Sequence, residues 1–333
     1  MKEVPFMHKY YEYTSAFALS INDYIQSHRR AGFKFDNPAY WLYRFDQYCV
    51  EQNVKESALT KTLYDKWSER LPTETKVTQN NRLQALRGFS IYLNTMGIQS
   101  YIPLNLPRPE KIVPYLMTDR DIREFFEQVD LYQTVSASRV FHRLSFEYKI
   151  LFRLIYCCGL RNNEACTLKK EHVDLVHGSL VLHHTKGNKE RIVYIPEDLN
   201  ALCSEYLTWL NNEPGCGRSE WFFPGKDSKK HIPKTSIDRK FNEFWNNTAT
   251  SKKCDKKPTV HCLRHAFVIK RVNLWMEQDI SLKVMLPYLS SYLGHKGPIE
   301  TFYYYHQVED VLKTVRNKDL TSPFVIPEVT YED

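Results

Sequence analysis

No stretch of this 333-residue sequence is apolar for long enough to cross a membrane. The N-terminus, Met1-Lys2-Glu3-Val4-Pro5, lacks the apolar run of a secretory leader. A cytoplasmic protein with no membrane partner is therefore expected. Cys-x-x-Cys is absent as well. The eight cysteines follow neither a disulfide framework nor a zinc pattern. Cys157 and Cys158 are neighbours inside an apolar run, and the spacing of Cys254, Cys262 and His265 matches no common ligand set. The expectation is reduced thiols, with no metal and no cofactor. Internal repeats and low-complexity tracts are missing too. Excess charge is small: 46 Lys and Arg against 39 Asp and Glu leave +7, which permits nucleic-acid binding without demanding it.

What is present divides in two. From about Tyr11 to Gln99 the apolar spacing is helical. Phe17, Ile21, Tyr24 and Ile25 mark a first helix, stopped at Gly32. Asn37-Pro38 opens a second, with Leu42, Phe45 and Cys49 along one face. Thr60 to Leu71 reads as a third, and Leu83, Leu86, Phe89 and Leu93 mark a fourth. Arg82 and Arg87 fall between those apolar positions and are expected on outer, solvated faces. Pro103, Pro107, Pro109 and Pro114 then hold the chain extended. The predicted organisation is a helical domain over 1–100, a proline-rich linker over 101–116, and a second domain over 117–333 with a tail from about 317. Thr118 and Asp121 form a capping-box pattern at the start of the second domain.

The predicted fold class is mainly α with a small β-hairpin in the second domain. Phe146 to Cys158 is an apolar helix, followed by Gly159-Leu160-Arg161-Asn162-Asn163-Glu164. If a new helix starts at the glycine, Arg161 and Glu164 share a face. Ser179–His183 and Arg191–Ile195 alternate as strands around Thr185-Lys186-Gly187-Asn188-Lys189-Glu190, a hairpin tip with two lysines. Lys226, Lys229, Lys230, Lys252, Lys253, Lys256 and Lys257 are expected in loops. His261 and Arg264 fall three apart on one helical face. Near the C-terminus, Leu293-Gly294-His295 closes a helix-like run, and Gly297-Pro298 breaks the chain before a helix carrying Tyr303, Tyr304 and Tyr305.

These residue types suit a phosphate. Guanidinium forks match phosphate oxygens and stabilise the charge that grows on them in a five-coordinate transition state. A tyrosine hydroxyl attacks well only if a neighbour takes its proton, which a histidine can do. A mobile lysine ammonium can protonate the leaving alkoxide. Nothing in the set resembles the carboxylate cluster that holds magnesium.

Gly159-Leu160-Arg161-x-x-Glu164, the run from Thr185 to Arg191, His261-x-x-Arg264-His265, Leu293-Gly294-His295 and Tyr304 occur in the order and rough spacing of one family. Residues 146 to 306 resemble the tyrosine recombinases of the phage-integrase family, while the first domain is similar to the family's core-binding domain only in general shape. The resemblance implies that Arg161 and Arg264 clamp the scissile phosphate of double-stranded DNA. Lys186 would protonate the departing 5′-oxygen, and His261 would assist proton transfer at the nucleophile. His295 would bond a phosphate oxygen, and Tyr304 would form a 3′-phosphotyrosine link. Glu164 would steady the site. Self-association into a tetramer on DNA is implied, with the tail, through Phe324-Val325-Ile326, packing on a neighbouring protomer. With little chain ahead of Tyr11, a separate arm-binding domain is not expected. The interval from Arg264 to His295 is longer than simple members carry. Two alternatives stay open: DNA relaxation in the manner of a type IB topoisomerase, and a noncatalytic DNA-binding regulator. His265 is expected to be structural.

Overall fold

The computed structural model describes residues 10–108, 114–133, 139–183, 190–214, 216–254 and 256–295. Lys186, Lys189, Pro109, the Gly297-Pro298 break, Tyr303, Tyr304, Tyr305 and the tail lie outside these residues. The chain forms two compact units, Met1–Val113 and Pro114–Asp333.

The first unit holds α1 (Ala18–Arg30), α2 (Asp36–Glu51), α3 (Lys61–Ser68) and α4 (Lys76–Thr95). Phe17, Ile21, Leu42, Phe45, Leu63, Leu86, Phe89 and Leu93 are buried together, so the helical periods converge on one core. Thr60 and Thr75 cap α3 and α4 by accepting the N–H of Leu63 and Thr78, each at 3.1 Å. Three expectations need correction. α2 begins two residues early: Asn37 is not its cap, and the helix starts at Asp36 after Phe35 in a left-handed conformation with φ 50°. The Phe35 ring stacks on His28 with centroids 4.1 Å apart, and this packing offsets the backbone strain.

Arg82 is the second. It is not on an outer face but 3% exposed. Its Nε and Nη2 donate to the two oxygens of Glu74 at 2.9 and 2.8 Å. Nη2 also donates to the Glu69 carbonyl at 3.1 Å, and Nη1 donates to the Trp67 carbonyl. The guanidinium lies 4.8 Å from the centroid of a Trp67 ring. α3 stops at Ser68 rather than running to Leu71, and Arg82 satisfies the Trp67 and Glu69 carbonyls left at its end. Arg87 is half-buried.

The second unit holds α5 (Asp119–Leu131), α6 (Arg139–Cys158), α7 (Asn162–Cys166), β1 (Val173–Asp174), β2 (Ser179–Leu182), β3 (Arg191–Tyr194), α8 (Glu197–Asn212), α9 (Lys234–Asn246), α10 (His261–Glu277) and α11 (Leu282–Leu293). The capping box at α5 is reciprocal: Thr118 N–H donates to Asp121 Oδ2 at 2.8 Å, and Asp121 N–H to Thr118 Oγ1 at 3.2 Å. Ile150, Leu151, Leu154 and Ile155 of α6 are fully buried, and α5, α8 and α10 pack on that helix. The three strands form one antiparallel sheet in chain order, with Leu180 opposite Val193 and Leu182 opposite Arg191. Two-residue β1 is too short to show alternation and was not expected from sequence. Lys252 and Lys253, expected in a loop, fall in a single 3-10 turn, Thr250–Lys253. The long interval from Arg264 to His295 is filled by the rest of α10 and by α11.

Candidate functional site

α6 ends at Cys158, and Gly159 turns the chain with φ +66°. A Cβ there would stand 2.7 Å from Phe267 of α10 and 3.2 Å from Leu293 of α11, so only glycine lets these three helices converge. The new helix starts at Asn162, not at the glycine, and Arg161 precedes it. Glu164 reaches back to accept the Arg161 N–H at 2.8 Å, and its other oxygen accepts Arg161 Nη1 at 2.7 Å.

Arg161 then spans the unit: its Nη2 donates to the carbonyl of Gly294 at 2.7 Å. Gly294 ends α11 with φ +65°, and the His295 N–H bonds back to the Ser290 carbonyl at 3.0 Å, a glycine-terminated helix end. Arg264, on the first turns of α10, does the same from the other side. Its Nη1 donates to the Gly159 carbonyl at 2.6 Å and its Nη2 to the Leu293 carbonyl at 2.7 Å. Two guanidiniums therefore sit at the negative end of α11, where helix carbonyls favour cations. They differ in exposure: the Arg161 side chain is 20% exposed and Arg264 only 1%. His295 joins them, with Nε2 3.1 Å from Arg264 Nη2.

His261 opens α10. Desolvation and the guanidiniums of Arg264 and Arg161 push its pKa down to about 4, although the residue as a whole stays exposed. It is thus neutral near pH 7 and able to take a proton. His265, one turn on, lies edge-on to His261 with centroids 4.6 Å apart. Burial and its cationic and imidazole neighbours push it down to about 3. Burial works to raise the Glu164 pKa, but the forks of Arg191 and Arg161 hold the carboxyl below its ordinary range.

The structure thus gathers Arg161, Glu164, His261, Arg264 and His295, and it adds Arg191, to which the sequence reading assigned no role. Its Nη1 and Nη2 donate to the two oxygens of Glu164 at 3.0 and 2.7 Å. A signal existed: strand alternation puts Arg191 on the same face as buried Val193 and Ile195, an odd place for a cation. Lys186 and Tyr304 lie outside the described residues.

Guanidiniums held around one carboxylate, with neutral imidazoles beside them, make a site for oxyanion chemistry. The phage integrase family profile matches residues 124–310, and the chain belongs to that family, the tyrosine-type site-specific DNA recombinases. A protein of Sinorhizobium fredii named integrase/recombinase y4rB is 25% identical over 303 residues, spanning 90% of this chain and 95% of that one. Tyrosine recombinase XerC of Chlorobaculum parvum is 27% identical over 252 residues, 71% of each chain. Among solved structures, the XerH site-specific recombinase bound to palindromic difH substrate gives a TM-score of 0.62 at 19% identity, covering 85% of this chain and 78% of that one. The Tn1549 transposon integrase in complex with a circular-intermediate DNA gives 0.61 at 15% identity, covering 90% and 99%. At that identity the likeness is one of fold.

Proposed function

We propose that this recombinase cuts and rejoins specific double-stranded DNA sites through a covalent 3′-phosphotyrosine at Tyr304, integrating or excising a mobile element. The observation that carries this reading is the meeting of Arg161, Arg264 and His295 at the end of α11. Motifs more than a hundred residues apart in the chain share one anchor there, as a phosphate clamp requires.

In this mechanism Arg161 and Arg264 bind the nonbridging oxygens, and His295 adds a hydrogen bond. The Tyr304 hydroxyl oxygen attacks phosphorus, and neutral His261 assists removal of its proton. The bond to the 5′-oxygen breaks, and Lys186 delivers a proton to that oxygen. The phosphotyrosine retains the energy of the broken backbone bond, so rejoining by a 5′-hydroxyl needs no ATP. Basic residues in the first unit supply further phosphate contacts, which makes binding steeply salt-dependent. Assembly is a tetramer on DNA, aided by the tail from about 317.

The test first reads the DNA around the gene for inverted repeats or element ends, and then uses a nicked duplex built on them. Wild-type protein should be trapped as an adduct, and peptide mapping should place the nucleotide on Tyr304. Tyr304→Phe should bind the same DNA and form no adduct. Lys186→Ala should slow cleavage of an ordinary phosphodiester far more than of a 5′-bridging phosphorothiolate, whose sulfur leaves without a proton. DNA attached to Tyr303 or Tyr305 would correct the nucleophile. Cutting with no tyrosine attached would remove the mechanism.

A further inference from the structure

The Glu164 carboxylate is shared between two arginines. Arg191 takes both its oxygens, at 3.0 and 2.7 Å, and Arg161 takes the same two through Nη1 and its backbone N–H, at 2.7 and 2.8 Å. A carboxylate has about four lone-pair sites, so Glu164 is saturated. Its side chain is 8% exposed and that of Arg191 7%, so water does not compete for these bonds. The Arg191 guanidinium also lies under the end of α11. A Cβ added to Gly294 would meet Arg191 Nη1 at 3.1 Å and Arg161 Nη1 at 3.3 Å.

Charge follows from this geometry. Arg161, Glu164 and Arg191 together carry one net positive charge. Without Arg191, the carboxylate's charge would fall mainly on Arg161, at 2.7 Å, with Arg264 Nη1 farther off at 3.9 Å. A neighbour of the Arg161 fork beside Gly294 would also be gone, leaving room for that fork to shift.

We infer that Arg191 is a positioning residue of the site, which occupies Glu164 so that the Arg161 guanidinium stays aimed at, and its charge available to, the scissile phosphate. This rests on the reading above that Arg161 holds that phosphate. Arg191 acts through Glu164 and does not itself touch DNA. It is also the first residue of β3, directly after the segment that bears Lys186. The strand leaving the leaving-group acid is thereby tied to the turn that holds the phosphate.

The experiment measures adduct formation by full-length protein on the nicked duplex. Arg191→Gln should slow it on the order of 10²-fold, the scale of a misplaced binding group. Most of that loss should vanish on a methylphosphonate duplex, where one nonbridging oxygen is a methyl group and the phosphate carries no charge. Damage to the fold would slow both substrates alike, and that result would overturn the inference. Arg191→Gln with Glu164→Gln should be no slower than Arg191→Gln alone, because residues acting as a unit are not additive. Multiplied losses would also overturn it. If Arg191→Gln does not fold, Arg191→Lys, which keeps the charge but loses the two-pronged contact, should slow adduct formation far less than about 10²-fold, and a full loss of about 10²-fold would overturn the charge argument.

A second readout needs no cognate DNA. Inorganic phosphate, followed by phosphorus NMR, should bind more weakly to Arg191→Gln, and the double variant should recover part of that binding. No recovery would count against the charge argument. Failure of wild-type protein to form an adduct would instead strike the proposed function, while the phosphate measurement still decides the role of Arg191.

Discussion

The guanidinium of Arg264 stands 3.1 Å from Nε2 of His295. A guanidinium can only donate, so Nε2 is the accepting nitrogen in this contact. His295→Gln offers an amide oxygen in place of that acceptor and should keep much of the activity. His295→Ala should lose about 10²-fold in adduct formation, the scale of one transition-state hydrogen-bonding group. Equal rates for the two variants would show that the contact is dispensable.

The pH dependence of cutting should reflect His261. Its pKa is pushed down to about 4, so the neutral, proton-accepting form persists through the physiological range. Single-turnover adduct formation should stay level as pH falls from 8 to about 5 and decline only toward 4. His261→Asn should lower the plateau and remove the acidic decline. A decline centred near 6.5 would mean that His261 titrates as a free histidine.

Stability should carry the signature of His265, which is buried and pushed down to about 3. Below 6.5 the unfolded chain binds a proton at this residue that the folded protein refuses. Acidification therefore favours unfolding, by up to ~1.4 kcal/mol per pH unit between 6.5 and 3. Glu147 has the opposite sign, because burial raises its pKa to about 7 and the folded protein binds the proton first. The clean measurement is thus a difference. His265→Asn, compared with wild type by urea unfolding, should gain relative stability as pH falls below 6.5. A constant difference from pH 7 to 4 would refute this.

Gly294→Ala tests the junction of α11 with both arginines. The residue has φ +65°, and a methyl group there meets Arg191 Nη1 at 3.1 Å and Arg161 Nη1 at 3.3 Å. The backbone strain alone costs about 1–3 kcal/mol. Displacement of the forks should lower adduct formation beyond what the lost stability explains. Measuring rate and unfolding free energy on the same preparation separates the two effects.

In the first unit, Glu74→Ala should destabilise by about 3–5 kcal/mol, because it strands a buried guanidinium. Replacing both partners, Arg82→Met with Glu74→Leu, should cost far less. Thermal unfolding of the full chain reads both; similar losses would mean that the pair acts only through its packing.

Much of this architecture was legible in the sequence because it repeats a period. Phe17, Ile21 and Tyr24 could face only one core, and Thr118 with Asp121 announced their cap. Arg161, His261, Arg264 and His295 were visible as motif members, but their partners were not. The bonds of Arg161 and Arg264 run to carbonyls of Gly294, Leu293 and Gly159, and a carbonyl belongs to every residue alike. Arg82 misled for a related reason: its burial depends on Glu74 and on the carbonyls of Trp67 and Glu69, none of which lies on its helix. Arg191 escaped because its clue lies in strand orientation rather than in residue type.

The bond from Arg161 to the Gly294 carbonyl closes a loop of 133 residues. During synthesis, the ribosome must deliver α11 before Arg161 has its anchor. A nascent chain halted before that helix emerges leaves Arg161 without this bond, whatever else has folded. The order in which the chain is made therefore leaves every incomplete translation product without the contact that joins Arg161 to α11.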